Sequence, residues 1–512
     1  MTRSEGASRR GGLGRALDLL ERAGNRLPEP ATIFVLLALL VVVASWVAAH
    51  LGVQVPHPKD GTPIFAENLL TRANVRRMFT EAVRNFTGFA PLGLVLVAML
   101  GMGVAEGSGL VAASLRGFVT RVPRTWLTAA IVFTGVNANL AADAGIVVLP
   151  PLAGLLFAAA GRHPLAGVAA AFAGVAGGFS ANLLPSPLDA LLAGLSQSAL
   201  DGSRLLPGYS VAILGNWYFL IVSAFMLTAA GTWVTDAVVE PRLGPWRGER
   251  SLEAQAVDPR EGRALRAAML AFVGCLLVFA ALSVSPWAPL RLPEAAGLDA
   301  YKPFFESIVV LVMFMFLVPG LAYGFVMGSV RSDKDVMRMM AESMSSMGTY
   351  IVLAFVAAQF VNWFSWSNLA AILAVSGAQA LKSLGLGGPL LMVGLVLVAA
   401  TLNLFTSSAS AKWATMAPVF VPMFVLLGFT PEGTQVVYRI GDSCTNIITP
   451  LMPYMPFILS YVKRYDPKAG MGTVIALMIP YSVAFLSSWI MLLLVWNAFG
   501  WPIGPGISLY MK

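Results

Sequence analysis

The segment Tyr438-Arg439-Ile440-Gly441-Asp442-Ser443-Cys444-Thr445-Asn446-Ile447-Ile448-Thr449-Pro450 sets a guanidinium and a carboxylate three positions apart between two apolar runs, Thr415–Phe429 and Leu451–Val462. Even on the most lenient scale, a charge at the centre of a bilayer helix costs about 2.5–3.5 kcal/mol. Side chains that costly point to a polar or charged solute handled at membrane depth. Arg offers a planar fork that suits a carboxylate, and Asp can carry a proton or a sodium ion. At this spacing the two share a face of any helical turn and can pair; an ion pair that merely holds two helices in register is the structural alternative. The surrounding Gly and Pro predict that the segment is not a regular helix, so that its backbone offers carbonyls to a cation and N–H groups to an anion.

Other residues extend this set. Asp189, in Ser186-Pro187-Leu188-Asp189, is an acid just after a helix break and reads equally as a second site carboxylate or as a loop-edge cap. Asn182 and Asn446 each precede a Pro in a broken stretch. Asn403 and the patch Thr406-Ser407-Ser408-Ala409-Ser410-Ala411-Lys412-Trp413 suit the tip of a hairpin, with Asn403, Ser410 and Trp413 as candidate solute contacts. Lys412 can instead snorkel, and Trp413 can be an interfacial anchor. Asp143 reads first as a cap. Glu106 and Glu306 lie in apolar sequence without an assigned role. Cys275 and Cys444 form no CxxC; Cys444 is either a site thiol or a small packing residue. The three histidines share no metal-ligand spacing, and no phosphate-binding G-x-x-x-x-G-K-[ST] loop occurs.

The elements that must position these residues are membrane helices. The chain has 512 residues, 57% hydrophobic and 12% charged, with mean hydropathy +0.75. That composition excludes an ordinary soluble domain, and a net charge of +8 follows from basic loops rather than from nucleic-acid binding. Residues 1–30 read as a cytoplasmic amphipathic lead-in. Residues 31–126 read as scaffold helices with an external loop, Gly52–Gly88, and a second helix over Ala90–Leu115. Residues 127–200 form a first broken-helix repeat. Residues 201–365 are further scaffold, with a span over Tyr209–Val234 and a cytoplasmic loop at 238–266. Residues 366–462 form a second broken repeat, and 463–512 a basic loop and last helix. Lys and Arg in the loops at 116–124, 238–266, 329–338 and 463–468 put the N-terminus inside.

The two broken regions follow one order. The first has Asn137-Ala138-Asn139, Pro150, Gly161-Arg162-His163-Pro164, Ser180-Ala181-Asn182 and Pro185. The second has Asn403, Pro418, Gly428-Phe429-Thr430-Pro431, Ser443-Cys444-Thr445-Asn446 and Pro450. Paired interrupted segments in two halves of a chain mark the binding site of a secondary carrier. Gly103-x-x-x-Gly107 and Gly174-x-x-x-Gly178 predict close helix packing.

At Ser410-Ala411-Lys412-Trp413, Pro431-Glu432, Tyr438–Ser443 and Asn446–Pro450 the chain resembles the p-aminobenzoyl-glutamate transporter (AbgT) family. The resemblance implies an all-α polytopic membrane protein with about nine transmembrane helices and two re-entrant hairpins, an elevator-type carrier acting as a homodimer in a bacterial-type inner membrane. It puts Asp189, Asn403, Ser410, Trp413, Pro431, Arg439, Asp442 and Pro450 at functional positions. It implies uptake of p-aminobenzoyl-glutamate or efflux of sulfonamide antimetabolites, driven by a proton or sodium gradient, with Na+ near Asp189, Asn403 and Asp442. No other cofactor is expected. A channel, or a carrier of an unrelated organic anion, is the alternative. An intramembrane enzyme lacks both a HExxH helix and a nucleophile–base pair.

Overall fold

The computed structural model describes residues 30–56, 61–119, 122–138, 144–246, 260–285, 287–295, 300–385, 387–405, 408–449, 452 and 454–511. Asp143, Asn139, Thr406, Ser407 and Pro450, all singled out above, lie outside them. The fold is almost entirely helical. α1 (Pro30–His50) has 21 residues, about 32 Å at helical rise, which matches the hydrocarbon thickness. Leu36, Leu39, Leu40 and Val43 on it are more than half exposed. In water such a stripe would be an aggregation hazard; its apolarity suits the hydrocarbon interior of a membrane.

The segment after α1 is structured. β1 (Gln54–Pro56) pairs antiparallel with β2 (Pro63–Phe65), and two short helices follow, α2 (Arg72–Thr80) and α3 (Ala82–Thr87). Arg77 lies over the Trp366 ring at 4.0 Å and Asn85 donates to Gln359 at 2.9 Å, so this loop is pinned to a later helix. The single second helix expected over Ala90–Leu115 is in fact two, α4 (Ala90–Gly107) and α5 (Leu110–Val119). The break falls at Gly109, whose φ of +91° is left-handed and favours glycine.

The first repeat follows. α6 (Leu127–Asn137) leads to α7 (Ala144–Ala159), then α8 (Pro164–Phe172), which runs on as a π-helical turn, Ala173–Gly177. The chain then leaves helix until α9 (Pro187–Ser203). The expected span Tyr209–Val234 becomes helical only at α10 (Trp217–Val234), because the preceding backbone is spent on the site's far end (below). A π-turn, Thr235–Val239, and α11 (Glu240–Leu243) end it. α12 (Glu261–Ser283), α13 (Lys302–Glu306), α14 (Ile308–Met327), α15 (Asp333–Ser346) and α16 (Gly348–Trp366) come next. α4 packs on α14 and α15, and α12 on α14. A Cβ on Gly103 would stand 2.4 Å from the Ser343 Cβ, which is the close approach its motif predicted.

The second repeat repeats the pattern. α17 (Leu369–Ser383) precedes α18 (Gly388–Asn403), α19 (Ala409–Leu426) and α20 (Pro431–Cys444). Residues 445–449 are not helical; α21 (Met455–Tyr465) follows, and α22 (Met471–Phe499) is the last helix. The order of arm, arm, inner helix, non-helical residues, helix is shared: α6, α7, α8, 178–186, α9 against α18, α19, α20, 445–449, α21. Among the described residues, six helices are long and apolar enough to cross a bilayer, or seven if the bent pair α15–α16 counts as one span; five more apolar helices have 10–17 residues. Most of those shorter helices belong to the two repeats, as expected of segments that enter the membrane without crossing it.

Candidate functional site

α20 is the centre of the molecule: every residue from Pro431 to Cys444 is buried. It is a regular helix, which corrects the expectation that Arg439 and Asp442 sit on unwound chain. Thr430 caps it, its hydroxyl accepting from the Gly433 N–H at 3.0 Å, and Pro431 at the first position needs no N–H partner. The helix survives Gly441 because that residue serves packing: a Cβ there would stand 2.3 Å from the Val396 carbonyl oxygen of α18. Unwinding begins only at Thr445.

Arg439 and Asp442 do not pair with each other. Three residues apart on a helix they point roughly 60° apart, and each finds a nearer partner on another element. Arg439 Nη1 lies 2.7 Å from Asp189 Oδ1 of α9. Asp442 Oδ1 lies 2.5 Å from Lys412 Nζ of α19 and accepts from the Tyr438 hydroxyl at 3.0 Å. All four charged side chains are at most 5% exposed. One pair therefore ties the first repeat to the second, and the other ties the arm α19 to the inner helix α20 of the second repeat.

Asp189 caps α9 and also pairs with Arg439. Its Oδ2 accepts from the Ser186 N–H at 2.6 Å and the Ser186 hydroxyl at 2.7 Å, closing the cap of α9, while Oδ1 faces Arg439. Asn182 donates to the same Oδ2 at 3.3 Å. Asn403, the last residue of α18, donates to the Asp442 carbonyl at 2.6 Å, the Thr445 hydroxyl at 2.8 Å and Asn446 Oδ1 at 2.9 Å. Its own Oδ1 accepts from Lys412. Asn446 donates to the Ala176 carbonyl on the first repeat at 3.2 Å, and the Ser180 N–H donates to Ser443 Oγ at 3.2 Å. The two repeats thus meet at matching serines, Ser180 and Ser443.

Trp413 is wholly buried, not an interfacial anchor, and Lys412 does not snorkel. The Trp413 ring stacks on Tyr438 with centroids 4.4 Å apart and planes 25° apart. Its indole N–H donates to Ser196 at 2.9 Å, and Ser196 donates to Gln435 at 3.0 Å. The single Tyr438 O–H is shared between the Asp442 carboxylate and the Ala409 carbonyl, which lies 2.7 Å away. Ser410 lies in the first turn of α19 and contacts Ser408 at 3.2 Å; it stays at the rim of this cluster. Pro431 is a whole helix away, about 12 Å from Arg439 along the axis.

That far end has its own anchor. Glu432 is fully buried, accepting from the Tyr209 hydroxyl and the Ala212 N–H at 2.8 Å each. Glu432, Lys412, Tyr438, Ser196 and Gln435 join this cluster or its anchor only through the packing of the helices. The signal for Lys412 was present: it is the only ionisable residue between Lys382 and Glu432. Several buried polar atoms near the pairs have no hydrogen-bond partner among the described residues: Arg439 Nε and Nη2, Asp442 Oδ2, Asn182 Oδ1 and Ser180 Oγ. Unmet polar groups cost about 1–3 kcal/mol each unless a water, ion or solute meets them. Two cavities are lined by none of Arg439, Asp189, Lys412 and Asp442. One of about 860 Å³ is bounded by Leu110, Thr134, Asn137, Leu184 and Leu265, and one of about 460 Å³ by Gln197, Ser210 and Lys302.

The profile of the AbgT putative transporter family matches residues 15–511. The chain belongs to that family. A p-aminobenzoyl-glutamate transport protein of Escherichia coli (strain K12) is 38% identical over 496 residues, covering 96% of this chain and 97% of that protein. The YdaH transporter of Alcanivorax borkumensis superposes with a TM-score of 0.88 at 46% identity, covering 93% of this chain and all of that one. MtrF of Neisseria gonorrhoeae, described as illuminating a class of antimetabolite efflux pumps, gives 0.90 at 43% identity over 96% of this chain and all of that one. This AbgT-family chain is therefore a multi-pass membrane protein of a transporter family, and not an enzyme.

Proposed function

We propose that this protein is a secondary carrier of small aromatic anions of the p-aminobenzoyl-glutamate type, and of sulfonamide antimetabolites, driven by the proton gradient. The observation that supports this most is the stacked Trp413–Tyr438 pair flanked by the Arg439–Asp189 and Lys412–Asp442 ion pairs. The rings suit the aminobenzoyl or sulfanilyl ring, and the guanidinium suits a carboxylate or sulfonyl group. The Escherichia coli relative is named for p-aminobenzoyl-glutamate transport and the Neisseria gonorrhoeae relative for antimetabolite efflux, which supports the reading. Both ion pairs are covered by protein, which favours a carrier over an open channel.

The donor set favours a proton over sodium. Lys412 already holds the carboxylate of Asp442 and the amide oxygen of Asn403, where a cation between those two groups would bind. Asp189 is engaged by Arg439. Protonation of a carboxylate needs no room for a metal ion. The family resemblance further supports a homodimer in a bacterial-type inner membrane, and the basic loops at 329–338 and 463–468 support a cytoplasmic N-terminus. The test is flux of labelled p-aminobenzoyl-glutamate and a labelled sulfonamide in proteoliposomes, with proton and sodium gradients imposed separately. Concentrative flux under the proton gradient alone is expected. Flux that follows only the sodium gradient, or no flux of either compound, would refute the reading.

A further inference from the structure

Lys412 takes part in more than packing. Its ammonium bridges Asp442 Oδ1 and Asn403 Oδ1 in a site where it is 4% exposed. Its neighbour in sequence, Trp413, is one face of the aromatic stack, and Tyr438 of that stack bonds the same carboxylate oxygen as Lys412. On the same inner helix Arg439 carries a second internal carboxylate, Asp189. The protein therefore holds two cations about an aromatic pair, each neutralised by a carboxylate of its own. An aromatic solute with two carboxylates presents the same two charges.

We propose that Lys412 is a second carboxylate-binding residue, whose ammonium passes from Asp442 to one carboxylate of a dicarboxylate solute when Asp442 takes up a proton. The inference rests on the solute class proposed above. The charge balance is closed: Asp442 gains one proton and becomes neutral, Lys412 keeps all three of its protons, and the solute carboxylate replaces the Asp442 charge. One proton thus accompanies each carboxylate bound at Lys412. The ionisable groups facing Asp442 are Lys412 from α19 and Tyr438, Arg439 and Cys444 from its own helix. α18 and the π-turn Ala173–Gly177 have no ionisable side chain, α9 contributes Asp189 through Arg439, and Tyr481 on α22 is bonded to Thr235.

The test compares two conjugates, p-aminobenzoyl-glutamate and p-aminobenzoyl-glycine, which share ring and amide but carry two carboxylates and one. Binding to the purified full chain in nanodiscs is measured from mildly alkaline to mildly acidic conditions. The wild type is expected to prefer the glutamate conjugate by about tenfold, the worth of one charged hydrogen bond, and the preference grows as pH falls. Lys412→Met/Asp442→Asn removes both charges and strands neither. It should lose the preference and its pH dependence, while Lys412→Arg keeps the preference. A double variant that still prefers the glutamate conjugate tenfold, or a wild-type preference that ignores pH, overturns the inference. Wild-type protein that binds the sulfonamide but neither conjugate overturns it while leaving the carrier reading; binding of none of the three overturns both.

Discussion

The Arg439–Asp189 pair is lopsided, and that lopsidedness predicts which partner the fold tolerates losing. Asp189 keeps three hydrogen bonds without Arg439: from the Ser186 N–H, the Ser186 hydroxyl and Asn182. Arg439 has no hydrogen-bond partner on Nε or Nη2, and Asp189 is its ion partner. Asp189→Asn therefore strands a buried guanidinium, a change that costs about 3–5 kcal/mol. Arg439→Met leaves a carboxylate still held by bonds worth about 1.5–3 kcal/mol each and fills the space with apolar atoms. It should cost about 2 kcal/mol less than Asp189→Asn. Equilibrium unfolding in mixed micelles, followed by circular dichroism, measures both. Equal losses, or Arg439→Met as the more damaging change, would refute the pairing described here. Both variants should lose transport.

Three further outcomes are expected. Asp442→Asn should abolish gradient-driven accumulation in proteoliposomes while solute exchange across the membrane persists; wild-type accumulation would count against Asp442 as the coupling group. Trp413→Ala removes a fully buried ring and should destabilise by about 3–5 kcal/mol, whereas Trp413→Phe keeps the stack and loses only the bond to Ser196. Phe should therefore retain affinity for aromatic solutes, and competition binding with aromatic and aliphatic carboxylates would show otherwise. Gly441→Ala forces a Cβ against the Val396 carbonyl and should cost about 1–3 kcal/mol by overpacking. It should also loosen Asn403 from the Asp442 carbonyl, which thermal unfolding together with transport can report.

Much of this fold is legible in the sequence because membrane helices announce themselves by length and apolarity, and because the two repeats carry Asn, Pro and Gly in the same order. Helix breaks are less legible. The break at Gly109 leaves no Pro behind it. The regular helix over Pro431–Cys444 defies its glycines because Gly433 and Gly441 serve close packing rather than a bend. The site's members were mostly visible as polar residues in apolar surroundings, but partners are a three-dimensional matter. Spacing alone joined Arg439 to Asp442, and only the packing of α9 and α19 against α20 shows that each is claimed by another element. Lys412 reads as a snorkelling residue near a hairpin tip until α19 is seen to run inward, carrying it to Asp442.

The position of the bound solute decides which groups carry it. The most direct measurement is a cryo-electron microscopy structure of the purified protein with p-aminobenzoyl-glutamate bound. Density for the aromatic ring beside Trp413 and Tyr438, with a carboxylate against Arg439, is the expected result. Density confined to the apolar cavity between Leu110, Thr134 and Leu265, with both ion pairs unchanged, would contradict it.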